Sequence, residues 1–261
     1  MMRSLYIATT GMAAQQMSIE VISNNLANVS TVGFKKSSAE FHELLYQTFR
    51  PAGAPRASGV LPVGIQVGLG VQPMSAHKTF RQGNFEQTQN DFDIAIEGDG
   101  FFQVTLPDGN TGYTRSGGFE LNNEGSLVTK EGLPILPEIS IPVGMTHIGI
   151  SPEGVISGVA AGAIEETVIG TLELARFANP AGLESLGKNT YQVTTASGGP
   201  LTGIPGQEGF GKLQQGFLES SNVNIAEEMV KMIVAQRAYE LNSKAIQTSD
   251  EMLSLVNSLK R

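Results

Sequence analysis

The sequence has no cysteine and no tryptophan among its 261 residues. Without cysteine the chain has no disulfide, no thiolate metal ligand and no cysteine nucleophile, which excludes several classes of enzyme and metal protein. Charged residues are also scarce, at 16% of the chain against about 25% in an average domain. No apolar run reaches the roughly 18 residues that a membrane-spanning helix needs, so we expect a protein that is not embedded in a membrane.

Positive charge is scarce as well, because 17 Lys and Arg stand against 25 Asp and Glu, a net charge of −8. Sequence-independent phosphate binding needs clustered Lys and Arg, so we expect no nucleic acid partner. The N-terminus has one Arg and an apolar stretch that Thr9, Thr10 and Gly11 interrupt, which is not the pattern of a secretory signal peptide. The chain is rich in glycine, with 31 residues, and its 40% hydrophobic content is enough to bury a core.

The last stretch of the chain, residues 224–261, has the apolar periodicity of a long helix. Its steps of four and three are those of a coiled-coil seam, formed by Val234, Ala238, Leu241, Ala245, Thr248, Met252, Leu255 and Leu259. A second row widens the apolar band to about 160° and consists of Ile225, Met232, Tyr239, Ile246 and Leu253. Asn224 is the expected N-terminal cap. The positive charges of Lys260 and Arg261 interact favourably with the negative end of the helix dipole.

The first thirty residues repeat this pattern, which predicts a second heptad helix. Its apolar row is Leu5, Ala8, Met12, Gln15, Ile19, Ile22, Leu26 and Val29. We expect this helix to end near Asn28, because β-branched residues follow and Gly33 suits the left-handed conformation that ends helices. Two interpretations remain open. The helices pair within one chain, or their wide apolar bands pack against several neighbouring chains.

The residues between the helices predict an extended segment and then an all-β region. Residues 38–49 have apolar side chains at a spacing compatible with a short helix. From Arg50 to Pro73, Pro and Gly alternate with apolar residues, which predicts an extended spacer lying against another surface. Beyond residue 80, alternating apolar residues are separated by turns at 97–100, 107–110, 122–125 and 151–154, which predict successive hairpins.

The predicted fold class is α+β, with N- and C-terminal heptad helices of coiled-coil type flanking an all-β middle domain joined by an extended spacer. We place the N-terminal helix and the segment after it at residues 1–45, the spacer at 46–75, the all-β domain at 76–215 and the C-terminal helix at 216–261. His42, His77 and His147 are scattered without ligand spacing. We therefore predict no catalytic residue, no cofactor and no metal.

Three stretches resemble the signatures of the bacterial flagellar rod and hook proteins. They run from Ser23 to Lys35, from Asp93 to Val104 with Tyr113-Thr114-Arg115 after it, and from Glu219 to Val223 with Gln236 to Glu240 after it. They occur in the family's order and span nearly the whole chain. The signature residues are Asn24, Asn25, Leu26, Ala27, Asn28, Gly33, Phe34, Gly98, Gly100, Phe101, Phe102, Ser221, Asn222, Val223, Gln236, Arg237 and Tyr239.

The resemblance implies a structural subunit without a reaction. Within the family, the chain resembles most the proteins that build the distal rod, both in its length of 261 residues and in the segment at residues 45–68. The proteins of the proximal rod and of the hook are the alternatives. It implies self-assembly into a rigid helical tube across the periplasm that transmits torque from motor to hook. The expected partners are further copies of the chain, proximal rod proteins, the hook protein, the surrounding ring proteins and the flagellar export apparatus.

The terminal helices are the expected self-assembly elements, because bands this wide need several neighbours. The residues expected to mediate self-assembly are Leu5, Met12, Ile19, Ile22, Leu26, Val234, Ala238, Leu241, Ala245, Met252, Leu255 and Leu259. Two other classes of function stay open. One is an exported wall-modifying enzyme whose helices merely oligomerise, and the other is an adhesion or scaffolding module on a different filament.

Overall fold

A computed structural model of the chain describes residues 2–53, 55–56, 59–60, 63–142, 144–160 and 165–258. The chain divides into two compact units. Unit 1 comprises Met1–Ala27, Ser37–His77 and Asn224–Arg261, and unit 2 comprises Asn28–Lys36 and Lys78–Val223. The α+β class is confirmed, because one helix near each end of the chain flanks a middle region that is mostly β. In the part of the chain that the structure describes, no helix is both long and apolar enough to cross a membrane.

Unit 1 contains the two helices, α1 (Met2–Ala27) and α2 (Ile225–Ser258). Asn224 caps α2 as predicted, since its Oδ1 accepts the backbone N–H groups of Ala226 at 3.0 Å and Glu227 at 3.3 Å. α1 ends one residue before the predicted position. The predicted C-terminal features at Leu259, Lys260 and Arg261 lie outside the described residues.

The two helices pack against each other in antiparallel orientation within the chain. Three pairs of facing residues give the register: Ser4 with Ser249, Gly11 with Asn242, and Asn25 with Glu228. From one pair to the next, the residue number rises by 7 and then by 14 along α1 and falls by the same amounts along α2. A heptad repeat therefore sets the pairing. At Gly11 a Cβ atom would come within 2.9 Å of the Asn242 side chain, so the helices approach closely there.

The row of α2 that faces α1 differs from the predicted seam. The buried and half-buried side chains of α2 include Glu228, Met232, Ala235, Asn242, Ile246, Ser249 and Leu253. Of the predicted seam, Val234 is 62% exposed and Leu241 is 67% exposed. The apolar band is too wide for one partner helix. α1 covers the side that has Ala235, Asn242 and Ser249 together with the half-buried Met232, Ile246 and Leu253 of the second predicted row. The row that includes Val234 and Leu241 is left outward.

The described part of unit 1 also has six strands, β1 (Ser37–Glu43), β2 (Tyr46–Arg50), β3 (Pro55–Arg56), β4 (Gly59–Val60), β5 (Ile65–Gly68) and β6 (Val71–Lys78). They form the antiparallel pair β2–β5 and the pairs β1–β6 and β3–β4. The helix-compatible spacing at residues 38–49 was therefore misleading. A few apolar residues over twelve positions fit either structure, and strand pairing with distant β5 and β6 decides for strands. After residue 50 the chain turns back so that β5 pairs with β2. Residues 54, 57–58 and 61–62 lie outside the described residues, so the extended spacer stays a prediction.

Among its described residues, unit 2 has sixteen short strands and one turn of 3-10 helix at Pro180–Gly182. The strands are β7 (Phe85–Gln87), β8 (Ile94–Glu97), β9 (Phe101–Thr105), β10 (Thr111–Thr114), β11 (Phe119–Leu121), β12 (Leu127–Thr129), β13 (Ile135–Leu136), β14 (Met145–Ile150), β15 (Val155–Ala160), β16 (Glu166–Thr171), β17 (Leu174–Arg176), β18 (Glu184–Gly187), β19 (Thr190–Gln192), β20 (Leu201–Gly203), β21 (Lys212–Gln215) and β22 (Phe217–Glu219). The largest sheet has the order β18-β19-β10-β9-β17-β20, with β13 also paired to β9. A smaller sheet has the order β14-β15-β16.

Three of the four predicted hairpins form, namely β9–β10, β11–β12 and β14–β15. The turn at residues 97–100 does not close a hairpin, because β8 pairs with β21 while β9 pairs with β10, β13 and β17. Ile94, Ala95 and Ile96 are all buried, so β8 is covered on both faces.

The core of unit 2 consists of two apolar clusters that meet along β9. Phe102 belongs to the larger cluster and Phe101 to a smaller, mostly aromatic one. Neighbouring residues of a strand point to opposite faces, which places these two side chains in different clusters. Gly117 allows the chain to pass close to β8, because a Cβ there would overlap the carbonyl oxygen of Ile94.

Candidate functional site

Three charged side chains are buried together in unit 2. The Glu219 carboxylate accepts hydrogen bonds from Lys35 Nζ at 2.6 Å, from Arg115 Nε at 3.0 Å and from the backbone N–H of Gly83 at 2.8 Å. Lys35 and Glu219 are almost inaccessible to water, and Arg115 is 5% exposed. Buried charges need such partners, because desolvating an isolated ion costs several kcal/mol. Each of the three residues comes from a different stretch that carries the family resemblance.

This ionic cluster contains more positive than negative charge, since Lys35 and Arg115 share one carboxylate. Burial lowers the pKa of Lys35, and the neighbouring Arg115 lowers it further against the attraction of Glu219. Burial alone would raise the pKa of Glu219, but Arg115, Lys35 and the Gly83 N–H outweigh it and hold that pKa below its ordinary value. Both shifts have the direction that an excess of positive charge produces.

Arg115 connects the cluster to the turn before β9. Its Nη1 donates to the carbonyl oxygens of Gly98 at 2.9 Å and Gly100 at 2.6 Å. Both glycines have positive φ angles, 110° and 151°, which side chains disfavour. Within the part of the chain that the structure describes, the hydrogen bonds of Arg115 use Nε and Nη1 but not Nη2. One edge of this guanidinium therefore has no acceptor among the described residues.

Asn222 holds the segments at which the chain enters and leaves unit 2. Its Oδ1 accepts the backbone N–H of Lys36 at 2.8 Å, and its Nδ2 donates to the carbonyl oxygens of Thr79 at 2.8 Å and Arg81 at 3.0 Å. The backbone N–H of Asn222 donates to the carbonyl oxygen of Phe34 at 3.4 Å. Lys36, Thr79 and Arg81 all belong to unit 2, so one amide side chain joins two segments of this unit that are far apart in sequence.

Unit 1 has a comparable hydrogen-bond network around the side chain of Asn25, which is 1% exposed. The Asn25 Nδ2 donates to Glu228 Oε2 at 3.0 Å and to the carbonyl oxygen of Ser37 at 2.8 Å, and its Oδ1 accepts the Ser37 N–H at 2.9 Å. Lys231 Nζ donates to the other oxygen of Glu228 at 3.0 Å. The end of α1, the start of β1 and the first turn of α2 are thereby joined.

The signature residues divide between the two units, and of those on the helices Asn25 is buried whereas Asn24, Ala27, Gln236, Arg237 and Tyr239 are exposed. The members in unit 2 are Asn28, Gly33, Phe34, Gly98, Gly100, Phe101, Phe102, Ser221, Asn222 and Val223, and those on α1 and α2 are Asn24, Asn25, Leu26, Ala27, Gln236, Arg237 and Tyr239. Gly33 has a φ of 71°, but α1 ends before it. A Cβ at Gly33 would come within 2.8 Å of the Ser116 nitrogen, and its N–H donates to the Glu219 carbonyl at 2.7 Å, so close approach explains this glycine.

The residues expected to mediate self-assembly divide by exposure. On α1, Ile22 is buried, and Leu5, Met12, Ile19 and Leu26 are half-buried. On α2, Ala238 is half-buried, and the exposed members are Val234, Leu241, Ala245, Met252 and Leu255. Leu259 lies outside the described residues. Among the predicted self-assembly positions that the structure describes, the exposed ones all lie on α2.

The hydrogen-bond networks around Glu219 and Glu228 hold segments of the chain in position. The described residues contain no group of three or more His, Asp and Glu side chains placed to hold a metal ion. The buried carboxylates Glu219 and Glu228 are both occupied by hydrogen bonds from within their own unit. Such networks fix segments in place.

Models of flagellar protein families match three parts of the chain. Residues 5–35 match the family described as flagella basal body rod protein. Residues 95–158 match the flagellar hook protein FlgE/F/G D1 domain, and residues 214–259 match the flagellar basal body rod FlgEFG protein C-terminal family. Each of the three matches overlaps one of the three signature stretches.

Full-length relatives have the same description. The chain is 53% identical to the flagellar basal-body rod protein FlgG of Buchnera aphidicola subsp. Acyrthosiphon pisum, over 99% of this chain and 100% of the relative. It is 52% identical to the protein of that name from Buchnera aphidicola subsp. Schizaphis graminum, again over 99% and 100%. It is 50% identical to the FlgG protein of Borreliella burgdorferi over 100% of both chains.

Proposed function

The chain belongs to the family of flagellar basal-body rod proteins, and from that premise we propose that its copies assemble into a rigid helical tube that transmits torque across the periplasm. It is a structural subunit of the flagellar basal body and of the distal rod type. The proposal concerns how this chain builds such a structure, which surfaces join the copies, and which proteins lie at the ends and around the tube.

The observation that carries the proposal is the outward apolar row of α2. Val234, Leu241, Met252 and Leu255 are each more than half exposed, although they lie on one helix at heptad spacing. A contiguous apolar surface of this kind marks an interface. Because α1 already occupies the neighbouring face of α2, the row is free for another copy of the chain.

The distribution of charge supports the same assignment. Unit 1 has eight acidic and eight basic residues, which leaves 17 acidic and nine basic residues in unit 2. The whole net charge of −8 therefore lies in unit 2. A neutral unit with an apolar face associates without charge repulsion, whereas the acidic unit stays hydrated.

A rod subunit needs neighbours in several directions, and repeated non-closing contacts generate a filament instead of a ring. We place proximal rod proteins at one end of the tube, the hook protein at the other and ring proteins around it, and we assign delivery to the flagellar export apparatus. The subunit catalyses no reaction in this proposal. An assay of the purified protein on peptidoglycan tests that part of it.

The central experiment replaces Leu241 by Asp in the full-length chain. The new charge enters the outward row, where burying it between copies costs far more than leaving it in water. We expect tube formation, followed by sedimentation and electron microscopy, to be lost. Because Leu241 is 67% exposed in the single chain, the thermal unfolding of unit 2 should remain near that of the unchanged protein.

The matched control is Gln247→Asp, which adds the same charge at another exposed position of α2. We expect Gln247→Asp to assemble nearly normally. Assembly of Leu241→Asp at the normal rate, or equal loss of assembly in both variants, would contradict the assignment of this row as the interface.

A further inference from the structure

A cavity of about 360 Å³ in unit 2 has an unusual combination of walls. Phe80, Phe101 and Phe177 supply aromatic surface, and Arg115 and Arg176 supply two guanidinium groups. Asp99 is the one acidic side chain among the residues that line it. Aromatic walls with a few convergent charged groups are typical of a site that receives a specific side chain or small molecule.

The charge balance around Arg115 indicates what the cavity receives. Arg115 and Lys35 share the single carboxylate of Glu219, so this buried cluster has one positive charge in excess. Among the described residues no acceptor bonds to the Nη2 group of Arg115, although only 5% of this residue is exposed. Nη2 is not one of the fully buried atoms without a partner, so it keeps access to solvent. A buried guanidinium forms its strongest hydrogen bonds with a carboxylate, often through two parallel N–H groups.

Arg176 adds a second positive group at the same cavity. Its Nη1 donates to the backbone carbonyl of Gly209 at 3.1 Å, and its guanidinium lies 5.9 Å from the centre of the Phe210 ring. Neither contact neutralises its charge. Lys35, Arg115 and Arg176 together therefore exceed the negative charge of Glu219 and Asp99.

We propose that this cavity receives the carboxylate of an acidic side chain from a second copy of the chain. The proposal rests on the assembly proposed above, because assembly is what brings a second copy to the cavity. The occupant follows from charge complementarity, since unit 2 has 17 acidic residues against nine basic ones. Acidic units repel one another unless some carboxylates find positive partners, and the cavity provides such a partner.

The first test uses the unassembled full-length protein and N-acetylglutamate as the probe. We expect saturable shifts of the Arg115 and Arg176 side-chain resonances in NMR spectra. N-acetylglutamine, which has the same shape without the charge, should produce none. Arg176→Gln should weaken binding about tenfold, the usual value of one charge-assisted hydrogen bond. Absence of binding, or equal binding of both probes, overturns the proposal.

The second test introduces a carboxylate of the chain itself into the cavity by substitution. Ala178 lines the cavity and is exposed, so Ala178→Glu supplies a carboxylate beside the two guanidinium groups. We expect this variant to lose binding of N-acetylglutamate, to raise the melting temperature of the monomer and to slow tube formation at least tenfold by competing with the neighbouring copy. Ala178→Gln has nearly the same size without the charge and should behave like the unchanged protein.

The outcomes separate this inference from the proposed function. If the unchanged protein forms tubes but Ala178→Glu assembles at the same rate as Ala178→Gln, the cavity is not an intersubunit site and the rod assignment stands. If the unchanged protein forms no tubes under conditions where its relatives do, the proposed function fails, while the probe experiment still decides whether the cavity binds a carboxylate.

Discussion

Glu219 is the residue on which the ionic cluster of unit 2 depends. Its side chain accepts hydrogen bonds from Lys35, Arg115 and Gly83, and its backbone carbonyl accepts the N–H of Gly33. Glu219→Gln keeps the shape and removes the charge, which leaves two buried cations without a carboxylate. We expect a loss of about 3–5 kcal/mol in the free energy of unfolding of unit 2, the usual effect of removing one partner of a buried ion pair.

Urea denaturation of the full-length protein measures this effect, with Glu120→Gln as the control. Glu120 is exposed on β11, so its substitution should change the stability by less than about 0.5 kcal/mol. A Glu219→Gln variant as stable as Glu120→Gln would show that the cluster contributes specificity of folding without net stability.

The same carboxylate predicts a dependence of stability on pH. The pKa of Glu219 is held below its ordinary value in the folded chain, while in the unfolded chain it is about 4.3. The stabilisation is therefore fully present above the unfolded pKa and is lost as the pH falls through the lower, folded pKa. We expect the stability difference between the unchanged protein and Glu219→Gln to be constant near pH 7 and to shrink below about pH 4. A difference that stays constant in acid would mean that another group carries the effect.

At the scale of single residues the sequence was informative where the cause is local. Asn224 was predicted as a cap, and it is one, because capping depends only on the next three residues. Lys35 and Glu219 were part of the signature stretches, but nothing in their neighbourhood indicates that they meet. They are separated by 184 positions, and a long-range ion pair has no periodicity from which it can be recognised.

At the scale of elements, helices were easier to predict than strand partners. Heptad spacing predicts both α1 and α2, but it does not indicate which row of side chains on α2 faces α1. That choice depends on where two backbones come close, and Gly11 opposite Asn242 is visible only in the fold. Similarly, the apolar residues of β8 indicated a strand, while its pairing with β21 depends on a segment more than a hundred residues away.

The ribbon formed by β2 and β5 has apolar side chains that unit 1 does not cover. Tyr46, Phe49 and Ile65 are each more than half exposed on it. We infer that neighbouring subunits cover these side chains and that the segment joining the strands stiffens the tube. Arg50 lies opposite Ile65, so replacing residues 51–64 by Asn-Gly should preserve the ribbon with a two-residue turn. We expect this variant to form curved or flexible tubes.

Persistence lengths from electron micrographs measure the change. A second variant replaces residues 51–64 by a Gly/Ser segment of the same length, which removes the prolines and apolar side chains but not the chain length. Both variants should give flexible tubes if packing of this segment stiffens the rod. Straight, stiff tubes from the Asn-Gly variant would contradict that role.

At the scale of the whole molecule, the two units differ in how they are stabilised. Unit 2 has apolar clusters around Phe101 and Phe102 and a buried ionic cluster. The contact between α1 and α2 includes small and polar residues, such as Gly11 and Asn242, beside half-buried apolar ones, and it leaves an outward row that includes Val234 and Leu241 more than half exposed. Burial of apolar area is the main source of stability. The helix pair of a single chain should therefore be the less stable unit.

Amide hydrogen exchange on the full-length protein tests this difference, since local opening is most frequent where little apolar area is buried. In dilute monomer, verified by sedimentation, we expect the amides of α1 and α2 to exchange at least tenfold faster than those of β9 and β10 in the same sample. In assembled tubes the helices should become as slow as the strands, because neighbouring copies then cover the outward row at Val234 and Leu241. If the helices of the monomer were already as protected as β9 and β10, the pair would be stable without neighbours. If assembly left helix exchange unchanged, the helices would not be the elements that join one copy to the next.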